Sequence, residues 1–313
     1  MAAGTAAGDD SVASRQADPC QVNSCLERPP HLSVSPALFQ KFQKLIYAET
    51  GICLNSSKTA LLCGRLFRRL RALEIDSLKT YYEFVSQPGQ HEERARMIDA
   101  ITTNETRFFR EPRQFDFLVQ AVFPRWQAQA ERGLRPRRVR IWSAGCSSGE
   151  EPYTVAMLLA KYLPAEEGWD AHLLATDISN RVLEKADRGI YPIARSVDLP
   201  RDLLHRFMLR GTAERESEMK VKVEIQRMVE FRRLNLNDQS NQIEGPFDAI
   251  FCRNVLIYFD AASKHRVVKN LIHHLGANGL LFVGHAENLV SMTTHLRSIE
   301  STIYTTTADK QDW

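Results

Sequence analysis

Apolar residues recur every three or four positions from Leu38 to Ile46 and again from Leu62 to Leu73, and a helix is the conformation that gathers such a spacing on one face. Ser35 followed by Pro36 gives the first of these helices an N-cap and a first-turn proline. The second, K-T-A-L-L-C-G-R-L-F-R-R-L-R-A-L at 58–73, sets Leu62, Leu66, Leu70 and Leu73 on one side and Lys58, Arg65, Arg68 and Arg71 on another. Periodic stretches at 78–85 and 92–101 complete a small all-helical domain expected over 33–101. Residues 1–32 are rich in Ala, Gly, Ser, Asp and Pro without periodicity, and a disordered tail is expected there.

Beyond residue 138 the pattern changes. Short β-rich runs at 139–142, 171–177, 229–235, 247–252, 279–284 and 302–306 alternate with helical periods, of which 180–188 and 261–275 are the clearest. Strands alternating with helices predict an α/β domain, expected over 138–313, with a mostly parallel, Rossmann-like sheet. The rhythm breaks between 190 and 228. There a loop, a short helix at 202–209, a polar turn and the strictly alternating M-K-V-K-V-E-I at 219–225 predict an inserted antiparallel β-lobe. Residues 102–137 join the two parts. Their opening, T-T-N-E-T-R-F-F-R-E, is too aromatic and basic for an idle linker. It is expected to cover a ligand pocket, with Asn104, Thr106 and Arg110 over its mouth.

Composition narrows the class. The 313 residues carry a net charge of +3 and 43% hydrophobic residues, ordinary values for a globular chain and too weakly basic to call for nucleic acid. No apolar run nears the roughly 20 residues that span a bilayer, so no membrane insertion is expected. The start, M-A-A-G-T-A-A-G-D-D, lacks the features of a signal peptide. Six scattered cysteines suggest neither a disulfide framework nor a metal site and fit a reducing cytoplasm.

The candidate chemistry centres on R-I-W-S-A-G-C-S-S-G-E-E-P-Y at 140–153, a strand, a glycine turn and a helix start. Gly145 to Gly149 lack the G-x-G-x-x-G pattern, and the two carboxylates that follow, Glu150 and Glu151, would repel a pyrophosphate. A nucleoside with a cationic tail suits them, which points to S-adenosylmethionine and away from a nicotinamide dehydrogenase. Either acid could meet the cofactor while the other only opens the helix. Asp177 ends the second strand, where an acid can accept from both ribose hydroxyls. Arg253 and Asn254 follow the strand at 247–252 and face the crevice in which such sheets bind ligands. The basic face of the second helix reads either as a solvated surface or as a docking surface for an acidic partner, a helical protein or nucleic acid, the last disfavoured because no aromatics are interleaved for base stacking.

Taken together these segments resemble the chemotaxis receptor methyltransferases, the CheR family. The residues that carry the resemblance are T-T-N-E-T-R-F-F-R-E at 102–111, W-S-A-G-C-S-S-G-E-E-P-Y at 142–153, A-T-D-I at 175–178, Asn235-Leu236, F-D-A-I-F-C-R-N-V-L-I-Y-F-D at 247–260, and G-H-A-E-N at 284–288. The resemblance implies transfer of a methyl group from S-adenosylmethionine to glutamates on the cytoplasmic helical signalling region of methyl-accepting receptors. It implies that Asn104, Thr106, Arg110, Gly145, Glu150 or Glu151, Asp177, Asn235, Leu236, Arg253 and Asn254 line the cofactor. It further implies that Arg110 and Tyr258 stand beside the methyl, and that Lys58, Arg65, Arg68 and Arg71 dock the receptor. A cytoplasmic monomer without a metal is expected. The turn at 212–218 has no glycine, unlike members that tether to a receptor's C-terminal peptide, so action without a tether is expected. The rival readings are a nucleic-acid methyltransferase, disfavoured because Arg253-Asn254-Val255-Leu256 stands where an Asn/Asp-Pro-Pro-Tyr/Phe motif would be needed, and a non-catalytic cofactor-binding scaffold.

Overall fold

The computed structural model describes residues 34–238, 243–289 and 292–307; the tail expected at 1–32 lies outside them. The chain enters through α1 (Pro36–Thr50), where the Ser35 hydroxyl accepts from the Leu38 amide at 3.2 Å and caps the first turn. Then come α2 (Thr59–Ala72), α3 (Leu78–Val85) and α4 (His91–Ile101). Their apolar faces meet in one core that includes Phe42, Ile46, Leu62, Leu66, Leu70, Tyr81 and Met97. Glu93 is buried in this bundle. It takes two bonds from the Arg69 guanidinium, at 2.9 and 2.6 Å, and one from the Tyr81 hydroxyl at 2.9 Å. A buried carboxylate so fully partnered fixes how α2 and α4 pack.

A second stretch of helix, α5 (Pro112–Phe117), a π-helical turn (Leu118–Val122) and α6 (Phe123–Glu131), leads to the sheet. The sheet alternates with helices: β1 (Arg138–Ala144), α7 (Glu150–Tyr162), β2 (Asp170–Asp177) and α8 (Asn180–Arg188). The lobe follows, with β3 (Ile190–Pro192), α9 (Arg201–Phe207), β4 (Met208–Arg210), β5 (Glu218–Val221) and α10 (Val223–Gln226). The chain then returns through β6 (Val229–Arg233), β7 (Phe247–Cys252), α11 (Ala261–His274), β8 (Leu275–Val283), β9 (Leu296–Glu300) and β10 (Ile303–Thr306).

The main sheet runs β6-β2-β1-β7-β8-β10-β9, parallel except for the pairings of β10 with β8 and β9. Buried aromatics pack one face, among them Phe115, Tyr153, Phe251 and Phe282. Trp142, Leu256, Val268 and Leu271 are in the core of the other. The order reverses beside β1, so the C-terminal ends of β1, β2, β6 and β7 open a crevice there. The lobe is a separate antiparallel sheet in the order β3-β5-β4.

Three sequence expectations are corrected in and around the lobe. The alternating 219–225 stretch is not one strand. It leaves the ladder after Val221 and turns into α10, which buries Ile225 while Val223 stays exposed. The helix expected at 202–209 ends at Phe207, because Met208 to Arg210 pair with β5. The stretch read as loop from 190 begins with β3. In the main sheet, β9 is a strand that the sequence pattern does not predict.

The helical domain is fastened to the sheet's C-terminal edge. The Tyr47 hydroxyl donates to Asp260 at 2.9 Å, and the Asn235 side chain donates to the Glu49 carbonyl at 3.0 Å. After α1, Ile52 bridges Phe259 in antiparallel fashion, and the Cys53 amide donates to the Tyr258 carbonyl at 2.8 Å. Residues 51–58 thus form a strap that leads from this bridge directly into α2.

Candidate active site

A cavity of about 400 Å³ lies over the C-terminal ends of β1, β2, β6 and β7, roofed by residues 102–110 and by the strap. Its floor is the turn after β1. The amides of Gly145 and Cys146 both donate to the Thr176 carbonyl, at 2.7 and 2.9 Å, and fold the turn onto the end of β2. Gly145 has φ +88°, and a Cβ there would stand 2.3 Å from a Val255 methyl. Gly149, at φ +93°, would meet Ala186 and the Tyr191 hydroxyl at under 3 Å. Both glycines are therefore required by conformation and by space.

Two acids face this floor. Asp177 is buried; it accepts from the Ser147 amide at 2.9 Å and from the Ser179 amide at 3.0 Å, one bond to each oxygen. Burial raises its pKa above the usual carboxylate value, and those amide bonds pull the other way. Glu151 accepts from the Ser143 hydroxyl at 2.6 Å and lies 3.2 Å from the Arg253 guanidinium. Burial raises its pKa too, opposed by Arg253 and by the Ser143 bond. Glu150 is different. It is buried away from the cavity lining and accepts from the Ser148 hydroxyl at 2.7 Å. A helix advances 100° per residue, so only one of two adjacent acids at its first turn faces inward.

Arg253 joins the walls. Its side chain is 2% exposed, and the guanidinium reaches Glu151, Glu111 at 3.3 Å and the Arg110 carbonyl and lies 5.2 Å over the Phe115 ring centroid. Arg110 lines the cavity and donates to the Glu105 carbonyl at 2.8 Å. Its neighbours Phe109 and Glu111 both have left-handed backbones, at φ +52° and +58°, as do Ser147 and Asn254 in the lining. The roof is held to the floor by the Ser147 hydroxyl, which donates to the Asn104 carbonyl at 3.0 Å.

Of the expected cofactor residues, Asn104, Thr106, Arg110, Gly145, Glu151, Asp177, Asn235, Leu236, Arg253 and Asn254 line this one cavity, together with Tyr258; Glu150 does not. Among the expected docking residues, Lys58 lies at the cavity rim just before α2, and Arg68 and Arg71 are exposed along the helix. Arg65 is corrected. It donates to the Ile101 carbonyl and, at 2.9 Å, to the Thr103 hydroxyl, and so braces the roof. Sequence reasoning missed the strap residues Ile52, Leu54 and Asn55, as well as Ser147 and Val255 in the lining. The short apolar run Ile52-Cys53-Leu54 between two helices was their one visible signal.

A sheet of this order with a nucleoside-sized cavity at its switch point, an acid closing β2 and a second acid at the start of α7 defines an S-adenosylmethionine-dependent methyltransferase. Within that class the chain belongs to the CheR methyltransferases. The family's SAM binding domain matches residues 104–305, and its all-alpha domain matches 37–102. The chain is 40% identical over 267 residues to chemotaxis protein methyltransferase 2 of Pseudomonas aeruginosa, covering 85% of this chain and 91% of that one. It is 37% identical over 291 residues to the chemotaxis protein methyltransferase of Salmonella typhimurium, covering 93% and 97%. It is an enzyme of chemotaxis that uses S-adenosylmethionine as methyl donor. Among the described residues no helix is long and apolar enough to cross a membrane.

Proposed function

We propose that the enzyme methylates glutamate side chains on the cytoplasmic helical signalling region of methyl-accepting chemotaxis receptors, giving glutamyl methyl esters. The observation that carries this reading is that Arg110 and Tyr258 share one cavity with Asp177 and Glu151, beside a rim that runs into the exposed basic side of α2.

The residues suit the donor. Asp177 holds two acceptor oxygens, each with lone-pair capacity beyond its amide bond, toward a ribose diol. Glu151, which lines the cavity, is assigned to the ammonium end in preference to Glu150. Asn235 and Leu236, which line the same cavity, would hold the adenine. Asn104, Thr106, Arg253 and Asn254 complete the wall. When bound, the donor supplies a methyl group on a sulfonium, a good leaving group. The accepting glutamate is already ionised near neutral pH, so the enzyme needs no general base. Its work is alignment of the carboxylate with the methyl and exclusion of water. Arg110 offers a planar fork to that carboxylate, and Tyr258 offers a hydroxyl. Too strong a salt bridge would blunt the nucleophile, so the role of Arg110 is chiefly to orient. The enzyme acts as a cytoplasmic monomer in this reading.

Radiolabelled S-adenosylmethionine and receptor-containing membranes test the reaction. Base-labile methanol released from the receptor band is expected. Label on nucleic acid would favour a different methyltransferase, and no label anywhere a non-catalytic scaffold. The docking side has its own test. Reversing charge in Arg68→Glu/Arg71→Glu should raise the receptor KM about tenfold at low salt, with the difference shrinking as salt rises through the screening range. S-adenosylhomocysteine affinity should stay unchanged. A receptor KM insensitive to both changes would remove α2 from the docking surface.

A further inference from the structure

The G-H-A-E-N segment at 284–288 has no place in the site described so far, yet one of its residues touches the site's wall from behind. Glu287 is 3% exposed and is not part of the cavity lining. Its carboxylate accepts from three backbone amides. One oxygen takes Gly284 at 2.6 Å and Asn254 at 2.9 Å; the other takes Ile257 at 3.2 Å. Two of the three donors belong to the loop after β7, the loop that brings Asn254, Val255, Ile257 and Tyr258 to the cavity.

That loop needs an external hold. It leaves β7 through Asn254 in a left-handed conformation, so the strand ladder cannot continue, and only the single turn Leu256–Tyr258 follows. Gly284 packs directly behind it: a Cβ there would lie 2.6 Å from the Asn254 side chain and 2.9 Å from Glu287. A carboxylate is the group this place requires. It accepts only, and it can serve three converging N–H donors at once, whereas a carboxamide must aim its own N–H at one of them. Buried away from water, it is compensated by charge-assisted bonds.

We infer that Glu287 is a positioning residue for methyl transfer, pinning the loop 254–258 from behind so that Asn254 and Tyr258 stand at fixed places in the cavity wall. The inference rests on the reading that this loop serves the reaction. Displacement of a positioned group by about 1 Å costs on the order of a hundredfold in rate, so loss of the pin should appear in turnover more than in the fold.

The test compares Glu287→Gln with Tyr258→Phe in the full-length enzyme. Functional sites are counted by the stoichiometry of S-adenosylhomocysteine binding in calorimetry, and turnover on receptor membranes is expressed per site. The Gln variant keeps one acceptor oxygen and should fold. Its kcat per site should fall at least tenfold, with KM for S-adenosylmethionine within about threefold of the parent, because the carboxamide frees the Ile257 side of the loop, next to Tyr258. A purely structural role would lower the number of sites and the Tm but leave kcat per site unchanged, and that result would overturn the inference. If Tyr258→Phe is impaired and Glu287→Gln is not, the pin falls and the reading of the site stands. If Glu287→Gln is impaired and Tyr258→Phe is not, the pin stands and the assigned role of Tyr258 falls. If neither is impaired, both fall.

Discussion

Arg110→Ala is expected to lose about a hundredfold or more in receptor methylation per folded enzyme, the scale associated with losing the alignment of a reacting group. The Arg110 side chain lines the cavity with one of its five possible N–H bonds given to the Glu105 carbonyl. It is set between Phe109 and Glu111, whose left-handed backbones fix the direction in which it leaves the chain. The buried Arg253 contacts its backbone carbonyl from below. This much local constraint around a cation suits aiming a carboxylate. Arg110→Lys keeps the charge without the planar fork and should recover only part of the rate. Initial rates of ester formation, normalised to S-adenosylhomocysteine-binding sites, measure both variants. Full turnover in Arg110→Ala would end the assignment.

Asp177→Ala is expected to act on binding. Loss of charge-assisted bonds to a ribose diol, at about 1.5–3 kcal/mol each, should weaken S-adenosylhomocysteine about 10- to 100-fold or more in calorimetry, with a smaller effect on turnover at saturation. The pH dependence has a definite sign. Burial raises the Asp177 pKa above its unfolded value, so the carboxyl favours the folded state most when protonated, and that contribution is lost as pH rises through the raised pKa. A ligand whose hydroxyls donate to the ionised form draws the pKa back down. Affinity should therefore rise with pH across the interval just above the ordinary carboxylate value and fall as the solution is acidified through it. Asp177→Asn should flatten that slope. A slope of the same steepness in Asp177→Asn would assign the titration to another group, with Glu151, also raised by burial, the first alternative.

The elements that were legible in the sequence are those whose signals are local. Ser35-Pro36 capped α1 as its side chains require, and α3, α8 and β7 follow their patterns from end to end. Asp177 lines the cavity, where an acid ending a buried strand of such a sheet is expected to face. The losses came where tertiary structure decides. Alternation at 219–225 fits a strand until Val221, but burial of Ile225 in a helical turn depends on neighbours far along the chain. Strand β9 carries little alternation of its own and exists because β10 pairs with it. Arg65 shares the basic side of α2, yet the roof segment arriving at Ile101 and Thr103 captures it. The choice between Glu150 and Glu151 depends on the rotational phase of α7 over the sheet, which no local pattern encodes.

The left-handed residues around the cavity also bear on how the enzyme survives. Backbone conformations of this kind cost of order 1 kcal/mol or more apiece outside glycine, less for asparagine. Phe109, Glu111, Ser147 and Asn254 together therefore withhold roughly 3–5 kcal/mol from a fold whose whole margin is of the order of 5–15 kcal/mol. A donor held at a hundred times its Kd would return about 2.7 kcal/mol of that amount. A cell that runs short of donor thus lowers the thermal margin of this enzyme along with its rate, and the empty protein becomes the form that proteases meet first.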